Sequence, residues 1–247
     1  MKIIAILRRA ESSTGWRDTR RFRFGLRVRF FNAVLRFALL KQLTGPCLLY
    51  DPCCGGAYLL STLAYLHWKD INRILASDVD TDALKTAASN FALLTDAGLA
   101  QRIVHINRLI ALYNKGSHRE ALVSAQRLRS RLVHQNADHI LTTGLFKADV
   151  LKPDELISNL AREHLDVVIA DIPYGSHSFW HLDSMTDSPH QDVVWHMLQS
   201  LSHVLSPQSV VAICADKGQK VAHERYRRLE RFQVGKRRIV ILQPEWP

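Results

Sequence analysis

The chain has 247 residues, 47% of them hydrophobic and 23% charged, which excludes wholesale disorder and a disulfide-stapled miniprotein and leaves length for one large domain. Lysine and arginine number 33 against 23 acidic residues, a formal net charge of +10, so an acidic polymer is the expected partner, with nucleic acid ahead of a membrane surface. No apolar run approaches the roughly 18 residues that a membrane helix needs, and the apolar start at residues 1–7 runs straight into Arg8 and Arg9, the reverse of a secretory leader. A soluble, cytoplasmic protein is expected, with no membrane partner.

Residues 1–26 form a basic extension. In and just after it Arg17, Arg20, Arg21, Arg23, Arg27 and Arg29 are interleaved with Phe22, Phe24 and Phe30, a pattern suited to phosphate contacts plus base stacking, or else to a solvated arm. A domain over 27–247 follows. Over residues 30–40, Phe31, Val34, Leu35 and Ala38 share a helix face, and Gly45 with Pro46 stops that helix. Residues 47–50 read as a buried strand that ends at Asp51 and passes through Gly55 and Gly56 into an apolar helix over 58–68. A second strand over 74–77 ends at Asp78, and Thr81 is the expected cap of a helix running to about Leu94.

The distance from Asp78 to Asp149 exceeds one crossover helix, so something is inserted there. Residues 99–135 carry seven cations (Arg102, Arg108, Lys115, Arg119, Arg127, Arg129 and Arg131) against the single acid Glu120, with a breaker at 114–116. This predicts a basic helical hairpin whose second helix buries Ala121, Ala125, Leu128 and Leu132 and leaves Arg127 and Arg131 on a flank for solvent or phosphate. Beyond it, apolar strands over 166–170 and 210–215 end at Asp171 and Asp216, with a helix over 193–205 between them. Residues 226–242 read as an antiparallel hairpin turning at 235–236.

Strands alternating with helices predict an α/β fold, a mostly parallel sheet covered on both faces, with ligands at the carboxyl ends of its strands. Asp51, Asp78, Asp149 and Asp171 fall where such a cleft needs acids. A glycine turn lets a ligand approach the backbone, and an acid at the next strand end can accept both hydroxyls of a ribose. Asp171, Ile172, Pro173, Tyr174 and Gly175 add an acid, a proline that removes a donor, and an aromatic able to stack on a flat base. Residues 177–189, with Phe179 and Trp180, read as a lid over that base or a connector. The adjacent Cys53 and Cys54 lack zinc-knuckle or redox-pair spacing, Cys47 and Cys214 stand apart, and the 12 histidines are scattered. No metal site is expected, and the cysteines read as buried thiols in a reducing compartment.

The block Asp51-Pro52-Cys53-Cys54-Gly55-Gly56, the continuation Tyr58-Leu59-Leu60, Ala76 to Asp80, Asn90 to Leu94 and Asp171 to Gly175 resemble the S-adenosylmethionine (SAM)-dependent RNA methyltransferases, most closely the avilamycin-resistance ribosomal RNA guanine methyltransferases. The likeness spans about residues 27–242, the basic insertion included. It implies a Rossmann-like class I methyltransferase fold with a seven-stranded sheet, and a monomeric enzyme that methylates a guanine base nitrogen in 23S ribosomal RNA, free or in the large subunit, with antibiotic resistance as a consequence. By resemblance Asp51, Pro52, Cys53 and Gly55 surround the methionine part of SAM, Asp78 and Val79 the ribose, and Asp149 and Val150 the adenine. Asp171, Ile172, Pro173 and Tyr174 face the target base, and Arg21, Arg23, Arg27, Arg29, Arg127 and Arg131 contact RNA. Methyl transfer is an in-line displacement that needs positioning rather than a covalent nucleophile. Ala57 replaces the last glycine of the usual methyltransferase turn. Two rival readings stay open: a base-amino methyltransferase of transfer RNA or DNA, and, suggested by Ala57, a non-catalytic RNA-binding factor.

Overall fold

The computed structural model describes Phe31, Val34 and residues 45–172, 193–234 and 237–246. In chain order these form β1 (Cys47–Asp51), α1 (Tyr58–Leu66), β2 (Ile71–Asp78), α2 (Thr81–Ala92), α3 (Asp96–Tyr113), α4 (Gly116–Asp138), β3 (Thr142–Lys147), α5 (Pro153–Leu160), β4 (Leu165–Asp171), α6 (Val193–Leu201), β5 (Leu205–Asp216), β6 (Tyr226–Val234) and β7 (Arg237–Pro244). The strands make one seven-stranded sheet in the order β3-β2-β1-β4-β5-β7-β6. Strands β1 to β5 pair in parallel, and β7 runs antiparallel to both β5 and β6. The order reverses between β1 and β4, which puts the crevice for a ligand at their carboxyl ends.

Side chains alternate across the sheet, so each buried strand feeds two cores. Leu49, Ile74, Val167, Ile169 and Ala212 face a layer that includes α1, α2, the α3–α4 pair and the helical Phe31 and Val34. Tyr50, Leu75, Val168, Ala170 and Val211 face the opposite layer, with Leu156 and Leu160 of α5 and Met197 and Leu198 of α6. Near-continuous apolar runs in the central strands follow from cover on both sides.

The expected elements that lie within the described residues are present, with shifted ends; of the helix expected over 30–40 only Phe31 and Val34 are described. Strand β2 begins at Ile71 rather than at residue 74, because the buried Ile71 already pairs with Cys47 of β1 and Arg73 with Thr142 of β3. Helix α6 stops at Leu201 rather than at residue 205, because Leu205 joins β5 opposite Leu165. Thr81 is not the cap of α2. Asp80 is, its carboxylate accepting from the Asp82 amide at 2.8 Å, and the helix ends at Ala92. The turn expected at 235–236 lies outside the described residues, but the two strands flanking it pair antiparallel as expected.

The insertion is a helical hairpin. Asn114, in the left-handed conformation with φ 45°, ends α3 by donating its amide to the Ile110 carbonyl. Ala125, Leu128 and Leu132 of α4 are buried as the periodicity requires, and Ala121 packs against the same core. At its base the hairpin is closed by Arg129 of α4 pairing with Asp96 of α3 at 2.6 Å, and it is fastened to the domain where Gln135 donates to the Tyr65 carbonyl at 3.2 Å and the Trp68 indole donates to the His139 carbonyl at 2.9 Å. Among the described residues no helix is long and apolar enough to cross a membrane.

Gly98 makes the α2–α3 corner possible, since a Cβ there would stand 1.9 Å from the Ala92 carbonyl oxygen. Gly98→Ala is expected to destabilise the protein by about 2 kcal/mol or more, read as a lowered midpoint in thermal or urea unfolding. Gly116→Ala, at a helical position with open space around it, is the control and is expected to be neutral or stabilising.

Candidate active site

Register fixes how far each strand-end acid projects. Asp51 pairs with Ala76, so Asp78 stands two residues further along β2. Tyr50 pairs with Val168, so Asp171 likewise stands two residues beyond the level of Asp51 on β4. Two residues of strand are about 6.6 Å. Asp51 therefore lies in a recess between two projecting acids, and only 3% of it is exposed.

The turn after β1 is laid across the end of β2. The amides of Cys54 and Gly55 donate to the Ser77 carbonyl at 3.0 Å and to Asp78 Oδ2 at 2.8 Å, while Asp78 Oδ1 accepts from the Asp80 amide at 3.0 Å. The Ala148 amide, just past β3, donates to the Asp78 carbonyl at 3.3 Å. Asp51 Oδ1 accepts from the Cys53 amide at 3.0 Å. Gly55 has φ +51°, and no atom lies within 4 Å of where its Cβ would be, so the backbone there is open to a ligand. Pro52 is buried, and its carbonyl accepts from Ser77 Oγ at 3.4 Å, a hydroxyl that also meets Tyr50 at 2.7 Å.

Ala57 takes the same left-handed conformation as a glycine would, with φ 52° and ψ 26°, and is fully buried as the cap of α1. Its methyl packs into the core facing α1 and α2, which offsets the cost of about 1–2 kcal/mol for that backbone geometry. The turn is thus intact. Asn90 of α2, which the sequence reading placed in the resemblance without a role, completes it: nearly buried, it donates its side-chain amide to the Gly56 carbonyl at 2.6 Å. The signal was the asparagine on the buried stripe of α2, where a polar side chain needs a partner.

Asp149 and Val150 follow β3. Asp149 Oδ1 accepts from the Leu151 amide at 3.0 Å, its own amide donates to Glu155 Oε2 at 2.8 Å, and Val150 buries its side chain in the core that packs α5 and α6, leaving its backbone as the part able to meet a ligand. Val79 is half-buried beside Asp78. At the end of β4, Arg237 Nη1, from the first residue of β7, donates to Asp171 Oδ1 at 3.3 Å, with both side chains largely shielded from solvent. Sequence spacing gives no sign of this pair, because 66 residues separate its members. Ile172 turns its side chain into the core and donates its amide to the Cys214 carbonyl at 3.1 Å, so its own carbonyl is the group it has to offer. Pro173, Tyr174, the 177–189 segment and Arg21, Arg23, Arg27 and Arg29 lie outside the described residues.

Arg127 is exposed on α4, as expected. Arg131 departs from the expectation: it is half-buried, and its guanidinium donates to the Tyr65 carbonyl at 2.7 Å, because that carbonyl ends α1 without a helical partner.

Burial drives the Asp51 carboxyl well above the usual carboxylate range, and the charges of Asp171 and Asp78 push it further, against the single opposing hydrogen bond from the Cys53 amide. The thiols of Cys53 and Cys54 are raised by burial first and then by the neighbouring Asp51 and Asp78, so neither is a ready nucleophile at neutral pH. All four cysteines are free. Among the described residues no cluster of histidine, cysteine or acid is arranged to hold a metal ion.

Comparison with known proteins returns one consistent set of relatives. The family model described as rRNA methyltransferase AviRa matches residues 23–237. The chain is 37% identical over 199 residues to a 23S rRNA (guanine(2535)-N(1))-methyltransferase of Streptomyces viridochromogenes, covering 81% of this chain and 76% of that one. Two structures of the rRNA methyltransferase aviRa from the same organism, at 1.5 Å and 2.4 Å, superpose with a TM-score of 0.74 at 35% identity, over 87% of this chain and 84% of theirs.

The recess makes a prediction about stability. A carboxyl whose folded pKa lies above its unfolded value binds its proton more tightly when folded, so its ionisation destabilises the fold as pH rises from the unfolded value toward the folded one. Asp51→Asn keeps an acceptor for the Cys53 amide and removes the charge, and is expected to raise Tm at pH 7. The gain should shrink as pH falls through about 4 and vanish at about pH 3, below which Asp51 is protonated in both states. Calorimetry of both proteins across that range checks it.

Proposed function

The chain belongs to the AviRa family of rRNA methyltransferases, and on that premise we propose that it transfers a methyl group from SAM to the N1 nitrogen of a guanine in 23S ribosomal RNA. It does so as a cytoplasmic monomer, on free RNA or the large subunit, and the modification protects the ribosome from an antibiotic that binds there. The observation that carries the reading is the convergence of Asp51, Asp78 and Asp171 at the carboxyl ends of three adjacent strands, with the open turn at Gly55 between the first two.

The donor set fits SAM. Asp78 keeps acceptor capacity beyond its two amide bonds, enough for ribose hydroxyls. Asp149 offers a carboxylate for the adenine amino group. The recessed Asp51, unfavourable as a lone anion, is satisfied by a positively charged group such as the ammonium of the methionine part. SAM, when bound, supplies a methyl group on a positively charged sulfur.

The remaining chemistry is positioning and one proton. Guanine N1 carries a hydrogen that must leave as the new N–C bond forms. Asp171 accepts the N1–H hydrogen bond and then its proton, while Arg237, held positive throughout, fixes the carboxylate against rotation. The Ile172 carbonyl accepts from the guanine amino group. By the resemblance, Tyr174 stacks on the ring. Bringing the base out of structured RNA costs a few kcal/mol, which contacts elsewhere on the basic surface offset.

Labelled methyl transfer to large-subunit RNA, free or within the large subunit, and to separate pools of small-subunit RNA, transfer RNA and duplex DNA tests the substrate, with label expected in the first. Label in another pool overturns the assignment to 23S RNA, and no label anywhere overturns the enzymatic reading. Two variants separate the roles. Asp171→Asn should lower kcat at least about 100-fold with SAM affinity unchanged, and Asp78→Ala should weaken SAM binding roughly 10- to 100-fold by calorimetry. Arg237→Lys should retain more activity than Arg237→Ala, because it keeps the charge while losing the fork.

A further inference from the structure

The core stripe of α3 is Leu99, Ile103, Ile106 and Ile110, and its next member at helical spacing is Tyr113. There the core has ended: residues 111–117 are exposed without a break, with Leu112 at 66% and Tyr113 at 59%. An aromatic ring on an exposed hairpin end is not needed to bury α3. It meets the domain's chemistry in two places, edge-on against His118 and beneath Lys115, whose Nζ stands 5.8 Å from the ring centroid.

The charge around this tip is predominantly positive, with the exposed Glu120 set among the cations. Between Asp96 and Asp138 the chain carries seven lysines and arginines and the single acid Glu120. Arg129 is neutralised by Asp96 at the base, and Arg131 is turned to the Tyr65 carbonyl. Arg119 bonds the Asn114 side chain, a neutral partner that leaves its charge in place. Along α4, Arg119, Val123 and Arg127 recur every fourth residue and are all exposed, so they form a ridge that descends from the tip. The two helix ends at the tip have opposite dipoles that largely cancel, so the positive field comes from side chains.

We infer that the tip and ridge of the α3–α4 hairpin, Tyr113, Lys115, Arg119 and Arg127, form an RNA-docking surface separate from the strand-end site. Tyr113 stacks on an unpaired base, and the cations contact the flanking phosphates. A flat, exposed ring set among cations suits single-stranded or looped RNA, whose bases are available for stacking, better than a paired helix. The surface deepens the reading of the protein as an RNA methyltransferase by adding a second point of attachment, which would select RNA by its folded shape.

The test is direct binding of protein-free large-subunit ribosomal RNA by the full chain between about 50 and 200 mM salt. Thermal unfolding and SAM titration run alongside, and methyl transfer is measured separately. Tyr113→Ala is expected to weaken RNA binding roughly tenfold and Tyr113→Phe to restore it. Lys115→Ala should lower the salt slope by about one, and Lys115→Glu should weaken binding further, all with wild-type Tm and SAM affinity. Wild-type RNA affinity and slope in Tyr113→Ala and Lys115→Glu would overturn the inference, as would a wild-type dimer that Tyr113→Ala dissociates, since the tip would then join copies of this chain. Tip-dependent RNA binding without methyl transfer by the wild type would leave this surface standing and remove the enzymatic reading instead.

Discussion

The carboxylate of Asp78 holds the carboxyl edge of the sheet in its working shape. One oxygen accepts the Gly55 amide and the other the Asp80 amide, and the residue's carbonyl accepts from Ala148 beyond β3. The turn after β1 and the start of α2 are thereby fixed to one side chain, and the exit of β3 to the main chain of the same residue. Charge-assisted bonds to main-chain amides are stronger than neutral ones, and they direct amide dipoles at a point where a ligand's hydroxyls would sit. The residue assigned to bind a ligand therefore also builds the site, and the same geometry explains why the turn tolerates Ala57. Its left-handed backbone is imposed by the amides at Cys54 and Gly55 on one side and by the Asn90 clamp on the other.

A second constraint is the stagger of strand ends. Parallel pairing with Asp51 set two residues back places one acid below two others, and water has little access to it. A lone buried carboxylate is costly, so the recess is stable as a neutral acid or as an anion beside a cation. Arg237 relieves the outer acid, Asp171, and the inner one remains dependent on what enters. Such a site discriminates by charge as well as by shape, favouring a ligand with a positive group where Asp51 lies.

Much of this was legible in the residues themselves. The strand-end acids, the glycine turn, the double-cysteine block and the basic insertion are local patterns, and local patterns survive translation into structure because period and turn chemistry act over a few residues. What escaped were partners that topology alone brings together. Arg237 reaches Asp171 only because β7 inserts antiparallel beside β5, and Asn90 reaches Gly56 only because α2 packs back over the turn. Arg131 shows the converse limit: periodicity placed it on a flank of α4, yet an unsatisfied carbonyl at the end of α1 claimed it. Thr81 lost the cap to Asp80 for a similar reason, since a carboxylate one residue earlier reaches the Asp82 amide.

The distribution of charge ties the two halves of the molecule together. The protein is strongly basic overall, yet its strand-end site is lined by Asp51, Asp78, Asp149 and Asp171. A polyanion is repelled by such a cleft and attracted by the surface around it, so phosphates are held outside while a single base, which carries no phosphate on its reactive edge, is the part that can enter. On the proposed reading, affinity and chemistry are consequently supplied by different residues. The hairpin carries its cations on two helices joined by the Arg129–Asp96 pair and fastened to the domain through Trp68, on elements other than the turn that Asp78 organises. On the proposed reading, that separation would let the acidic pocket stay selective for a cationic ligand and a neutral base while the basic surface supplied the binding free energy needed to pull that base from its stack.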